Sequence, residues 1–221
     1  MRYSLMPSAQ RSPHYGVLLA VLLILLVVGP IAPNRAGYGV EFFFDLVLVV
    51  GAYSAASQSR HRWPFFVLTL VTLGVRWADI ARGTDGFSPV AIGFALVWLA
   101  YAVSLVVANL FRMKRVNTNA ILGAIVAYVL AAVAFACCFE LLERLQPSSF
   151  SGLPEGADHH DTASALLYFS VVSITTMGYG DILPASALAR SLASLEGIFG
   201  TLYLAVMIAR MVGLHGHDAE G

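Results

Sequence analysis

The sequence predicts an all-α membrane protein of six spanning helices, with one shorter re-entrant helix and its return loop between the fifth and sixth. Three observations predict it. Of 221 residues, 58% are hydrophobic and only 12% are charged, and the mean hydropathy is +0.77, well outside the range of a soluble domain. The apolar residues fall in runs long enough for a helix to cross the hydrocarbon core, which is about 30 Å thick and takes about 20 residues. Between the last two runs stands ITTMGYGDILP, Ile174 to Pro184, whose glycines, tyrosine and aspartate break the apolar pattern.

The first span is Val17 to Ala32; Pro30, Pro33 and Asn34 suit a helix end, and a cleaved leader following basic residues is the rival reading. The second is Val40 to Ser57, the third Pro64 to Ala81, the fourth Pro89 to Phe111, the fifth Ala120 to Leu142 and the sixth Ser186 to Val212. Short cytoplasmic loops retain Lys and Arg. With the N-terminus inside, Arg2, Arg11, Arg60, Arg62, Arg112, Lys114, Arg115 and Arg210 lie on the inner side, and Arg35, Arg82 and Arg144 on the outer. Both termini are therefore expected in the cytoplasm, in a multi-pass protein of a bacterial-type plasma (inner) membrane. The expected organisation is a four-helix transmembrane domain over 1–115, a second domain over 116–214 and a short cytoplasmic tail over 215–221. Nothing after the sixth span resembles a nucleotide- or calcium-binding domain, so no ligand gate of that kind is expected in this chain.

Charge and composition exclude several classes. Formal net charge is zero, which gives no bulk attraction to nucleic acid. Cys137 and Cys138 are the two cysteines; as sequence neighbours within an apolar run they read as small buried residues. Glu41, Asp45 and the histidines form no nucleophile–base arrangement, so neither an enzyme nor a cofactor is expected. His159 and His160 read as surface residues.

The segment from Leu142 to Ser186 is too long for a turn and too apolar in its middle for a solvated loop. Glu143 to Asp161 is rich in Pro, Gly, Ser and acids and reads as an exposed loop. Thr162 to Ile174 reads as a helix capped by Asp161 or Thr162, too short to cross and therefore re-entrant. Non-helical backbone returning at membrane depth is tolerated only where protein buries it or where it lines a water-filled path. Gly178 and Gly180 open backbone angles closed to other residues, which allows carbonyls in this stretch to face one side. A row of carbonyl oxygens replaces the water shell of a dehydrated monovalent cation, as four TVGYG loops do in potassium channels.

Thr176-Met177-Gly178-Tyr179-Gly180-Asp181 resembles the filter of the tetrameric potassium-channel superfamily, with Met where Val is usual. Upstream, YFSVVSIT resembles the WWAVVSMT pore helix of voltage-gated members, and Gly200 falls where the family's inner helix carries a glycine hinge. The resemblance covers Ala120 to Leu214. It implies a passive K+-selective channel, with K+ as the permeating ion held by the carbonyls of Thr176, Met177, Gly178 and Tyr179 and by the Thr176 hydroxyl, and with Gly180 completing the filter. It implies a homotetramer in the lipid bilayer, because each copy supplies one quarter of the ring. Tyr179 would point away from the axis and brace the filter; Tyr168 would donate a hydrogen bond to Asp181; Thr201, Leu204 and Ile208 would line the cavity. Val172 stands where some relatives carry a glutamate behind the filter. The other reading is a regulatory or non-conducting subunit, or a transporter, that keeps the channel fold. The outer acids Glu143, Glu155, Asp158 and Asp161 fit a negative vestibule and ordinary loop solvation equally.

A voltage sensor needs several cations along its fourth span, each worth about 2.3 kcal/mol per 100 mV. Pro89 to Phe111 has no charged residue, so gating is expected not to follow that pattern. Charges within a membrane pair or face a cavity, so Glu41 and Asp45 are expected to form a cluster with Arg76, beside Asp79, serving as a clamp or as a sensor. Glu196 is expected near Ser173 or Ser170. Gly200 fits both a hinge and a close-packing position.

Overall fold

The computed structural model describes residues 15–28, 39–55, 62–83, 88–113, 117–154, 156 and 159–219, and gives the backbone alone for 28, 39–43, 53–55, 62 and 215–219. Among these residues the chain forms α1 (Tyr15–Val28), α2 (Gly39–Ala55), α3 (Arg62–Ala81), α4 (Pro89–Arg112), α5 (Thr118–Leu145), α6 (His159–Ile174) and α7 (Ala187–Ala219), with a two-residue antiparallel pair of β1 (Phe150–Ser151) and β2 (Leu183–Pro184). The chain is an all-α, multi-pass membrane protein whose α3, α4, α5 and α7 are long and apolar enough to cross a membrane. Each of the six expected spans coincides with a helix, but α1, with 14 residues, and α2, with 17, fall short of that length within the described residues.

Local chemistry sets the helix ends. Ser88 caps α4, its Oγ accepting from Ala91 N at 3.2 Å, and Pro89 occupies the first turn, where its missing N–H costs nothing. The same Ser88 hydroxyl donates to Asp79 Oδ2 and so ties the end of α3 to the start of α4. Asn117 Oδ1 caps α5 by accepting from Ala120 N at 2.8 Å, and Ser186 Oγ accepts from Ala189 N at 3.1 Å at the start of α7.

Three boundaries depart from expectation. α6 begins at His159, so Asp161 lies in its first turn and is not the cap; acids are favoured throughout a first turn by the helix dipole, so the residue marks the turn without marking its edge. His159 and His160 are the first two residues of this helix. α5 continues to Leu145, which places Glu143 in the helix, where its carboxylate accepts from Ser148 N (2.8 Å) and Phe150 N (3.1 Å) and holds the following turn. α7 runs on to Ala219, past the expected end of the sixth span at Val212.

Helices in lipid gain little from apolar burial against one another and associate through close packing and interhelical hydrogen bonds, which small residues permit. α5 is built for this: Ala120, Gly123, Ala124, Ala127, Ala131, Ala132 and Ala136 are all buried. Around it α1 to α4 form the main core, with Leu22, Val47, Leu48, Trp98, Leu99 and Val126 fully enclosed. Trp98 Nε1 donates to Thr69 Oγ1 at 2.8 Å, joining α4 to α3. Gly51 lets α2 approach that ring: an added Cβ would stand 2.5 Å from Trp98. A second core, around Phe139, Leu142, Phe150, Leu166, Phe169, Ile182 and Ala189, gathers α5, β1, α6, the chain after residue 181 and α7. Its three phenylalanines meet edge to face at 5.2 to 5.4 Å.

Candidate functional site

The segment 175–181 leaves the end of α6 under tight backbone control. Thr175 N and Thr175 Oγ1 both donate to Val171 O, at 3.2 and 2.6 Å, Thr176 N donates to Ser173 O at 3.0 Å, and Met177 N to Val172 O at 2.9 Å. From there φ alternates in sign: Thr176 (+60°), Gly178 (+59°) and Gly180 (+78°) are left-handed, while Met177 and Tyr179 are not. A regular strand turns alternate residues to opposite sides; alternating the sign of φ turns successive carbonyls toward a common side. A β-branched threonine in the left-handed region costs on the order of 1–3 kcal/mol, a strain that persists where surrounding structure enforces it and that clusters at functional sites. All of 175–181 is exposed in the single chain.

The outer end of this segment is fastened twice. Tyr168 donates its phenolic hydrogen to the Asp181 carboxylate; that bond pushes the phenol above its usual value and holds the carboxyl below the usual aspartate range. The Tyr168 and Tyr179 rings lie parallel, 6.5 Å apart and 7° from coplanar. Beyond Asp181 the chain pairs with β1 in the register Phe150↔Pro184 and Ser151↔Leu183. Ser149 O accepts from Ala185 N and Ser186 N (2.8 and 3.2 Å), and Arg190 Nε donates to Pro184 O at 3.1 Å. Gly152, with φ +83°, lies so close that an added Cβ would fall 2.0 Å from Asp181 O.

The depressed Asp181 pKa gives the Tyr168 bond a sign in pH. Its contribution is present above the ordinary value of 3.8 and disappears as pH falls through the lower folded value. Tyr168→Phe is expected to move the Asp181 titration upward, read by carboxyl-carbon NMR. A midpoint unchanged from wild type refutes the bond.

The inner end is held by the close of α6. Ile174 O accepts from Tyr128 OH of α5 at 2.7 Å, and the same carbonyl abuts Gly200 of α7, where an added Cβ would meet it at 2.4 Å.

Residues 123–214 match the family model described as "Ion channel". That decides what the segment is. It is an ion-channel pore domain. The chain is 33% identical over 82 residues to the inward rectifier potassium channel Kirbac3.1 of Paramagnetospirillum magnetotacticum, covering 37% of this chain. It is 26% identical over 107 residues, 48% of this chain, to a protein described as "Putative potassium channel protein" in Rhodopseudomonas palustris. In both cases the match spans 23% of the relative's length. A pore domain is not an enzyme.

Within the pore domain, α7 buries Tyr203 and Met207, with Tyr203 OH donating to Ala124 O of α5 at 2.8 Å, and leaves Thr201, Leu204 and Ile208 exposed. Glu196 meets Ser170 of the pore helix α6, one of the two serines expected from sequence. The space beside Gly200 is filled by backbone, which gives that glycine a packing role. Of the outer acids, Glu155 and Asp158 lie outside the described residues, Glu143 is engaged in its own turn, and Asp161 sits in the first turn of α6.

Arg76, 1% exposed, donates from Nε to Asp45 Oδ1 at 2.9 Å and lies 4.9 Å from the Phe44 ring centre. Asp79 receives Ser88 and Arg82. The Glu41 side chain lies outside the described residues.

Three further residues of the pore domain escaped sequence reasoning. Tyr128 and Gly152 carry no local signal, because each acts on a residue distant in sequence. Arg210 did carry one, being a cation near the inner end of an apolar span: its Nη2 donates to Phe111 O (2.6 Å) and Met113 O (3.1 Å) and its guanidinium lies 4.9 Å from the Phe111 ring centre. These are carbonyls that a helix end leaves without partners, and a cation there complements the helix dipole. Arg210→Gln is expected to destabilise the α4–α7 contact by about 1.5–3 kcal/mol, the usual worth of a hydrogen bond to a charged group, with partial recovery in Arg210→Lys. Thermal unfolding in detergent measures it, and equal midpoints for wild type and Arg210→Gln refute the clasp.

Proposed function

We propose that this chain is one subunit of a K+-selective channel in which four copies place their 175–181 segments around one axis and conduct K+ passively. The observation that carries the reading is the alternation of φ at Thr176, Gly178 and Gly180, which supports a column of carbonyl oxygens from Thr176, Met177, Gly178 and Tyr179. In that arrangement the four rings replace the hydration shell of K+. The pore helix ends at Ile174, immediately before the column, so the negative end of its dipole favours a cation there. Tyr179, stacked on Tyr168, and Asp181, bonded to it, brace the outer mouth.

A homotetramer with fourfold symmetry follows from the need for four quarters of one ring. The exposed face of α7 with Thr201, Leu204 and Ile208 then lines the cavity below the filter. The matched relatives are potassium channels by description, which supports K+ as the ion. The protein resides in the plasma (inner) membrane with both termini cytoplasmic, which puts Asp181 on the outer side.

Purified protein in liposomes tests this directly. K+ efflux well above Na+ efflux, blocked by Ba2+, is expected. Equal K+ and Na+ flux, or none, refutes the reading.

A further inference from the structure

Where α5, α6 and α7 meet, the pore domain encloses the Glu196 carboxyl. Glu196 and Ser170 are both 0% exposed. Glu196 Oε1 lies against Ser170 Oγ, Ser170 Oγ lies 2.7 Å from the carbonyl oxygen of Ala132, and Glu196 Oε2 has no hydrogen-bond partner among the described residues. The titratable side chains facing the carboxyl from α5 are Tyr128 and Cys138, a phenol and a thiol. The pore helix contributes Ser170; its nearest titratable residue, Tyr168, is bonded to Asp181. On α7 the residues within a turn of Glu196 include no Lys, Arg or His.

The hydrogen count decides the protonation state. Ser170 has one hydroxyl hydrogen, and the Ala132 carbonyl accepts only. If that hydrogen goes to Ala132, the contact between Glu196 and Ser170 still needs one, and the carboxyl is the group left to supply it. The opposite assignment, with Ser170 donating to a carboxylate, leaves the short contact to Ala132 without a hydrogen. It also encloses a charge with no cation beside it and one oxygen empty, which low-dielectric surroundings penalise heavily.

We infer that Glu196 is a protonation site of the pore domain, kept as the neutral acid that donates to Ser170 Oγ while Ser170 donates to Ala132 O, and that its deprotonation in alkali unfastens the pore helix and reduces conduction. The relay joins three helices through two hydrogens. Removing one forces Ser170 to choose between Glu196 and Ala132, so either the tie of α6 to α7 or the tie of α6 to α5 is lost. Glu196 is thus a positioning residue: it acts through the pore helix. The conduction arm rests on the channel reading above; the protonation arm does not.

The experiment reads the two arms separately on the full chain in liposomes. Infrared difference spectra across a pH titration should show a protonated-carboxyl band that disappears in alkali, is absent from Glu196→Gln and shifts in Ser170→Ala, which removes the acceptor. Wild-type K+ flux should fall severalfold from neutral to alkaline pH, while Glu196→Gln, whose amide N–H donates to Ser170 Oγ in the same place, should hold its flux across that range. A spectrum without a band assignable to Glu196, or one unshifted in Ser170→Ala, overturns the protonation site. An equal alkaline fall in wild type and Glu196→Gln overturns its link to conduction. The band with its alkaline loss but no K+ flux in any variant upholds the site and refutes the channel reading instead.

Discussion

Gly178→Ala is expected to abolish selective K+ flux while leaving the helices and the assembly intact. Gly178 has φ +59° and nothing within 4 Å of an added Cβ, so the substitution brings a conformational penalty and no clash. Holding an L-residue in the left-handed region costs about 1–2 kcal/mol, and four copies around the proposed axis cost about 4–8 kcal/mol. All of that falls on one layer of the filter, where relief comes by turning the peptide and removing its carbonyl from the column. K+ against Na+ flux in liposomes reads the loss, with circular dichroism and size-exclusion chromatography as controls for folding and assembly. Wild-type selectivity in Gly178→Ala would mean that its backbone sign has no part in conduction.

Gly200→Ala is expected to act at the opposite end and by the opposite cause. Its Cβ would stand 2.4 Å from Ile174 O and 2.8 Å from Ile174 Cγ1. Overpacking costs about 1–3 kcal/mol per site, and the high end applies here because a backbone carbonyl held by Tyr128 cannot swing aside as a side-chain tip can. The pore helix would be pushed from α7 in every subunit, lowering both assembly and flux. Gly197→Ala is the internal control: nothing lies within 4 Å of its added Cβ, and alanine gains about 1 kcal/mol in helix propensity. The proposed tetramer intact in both variants, with only channel opening changed in Gly200→Ala, would restore the hinge reading and remove the packing one.

These two glycines also separate what was legible in the sequence from what was not. The proposed filter is local: Thr176 to Asp181 are consecutive, and the need for left-handed angles is written in Gly178 and Gly180. The pore helix and spanning runs are readable for the same reason, since length and hydropathy are properties of one segment. The left-handed Thr176 was hidden, because a threonine advertises no such conformation and is held there by bonds from the end of α6. The alternatives at Gly200 stayed open because its neighbour is Ile174, on another element. Membrane physics alone pairs Asp45 with Arg76, whereas the sequence marks Arg210 only as a positive charge, its partners being carbonyls at the end of α4 that no side-chain pattern records. The start of α6 was misplaced because Asp161 satisfies a helix end from either of two positions.

The strand pair of Ser151 with Leu183 has a consequence of its own. It closes the excursion that runs out through α6 and back through residues 175–181, so both ends of that excursion are knotted together. The inner anchor, Tyr128 and Gly200 on Ile174, belongs to helices embedded in hydrocarbon. In the proposed channel, with the strand pair in the aqueous layer, the filter would be suspended between two solvents, its lower attachment answering to bilayer thickness and its upper one to the bathing solution.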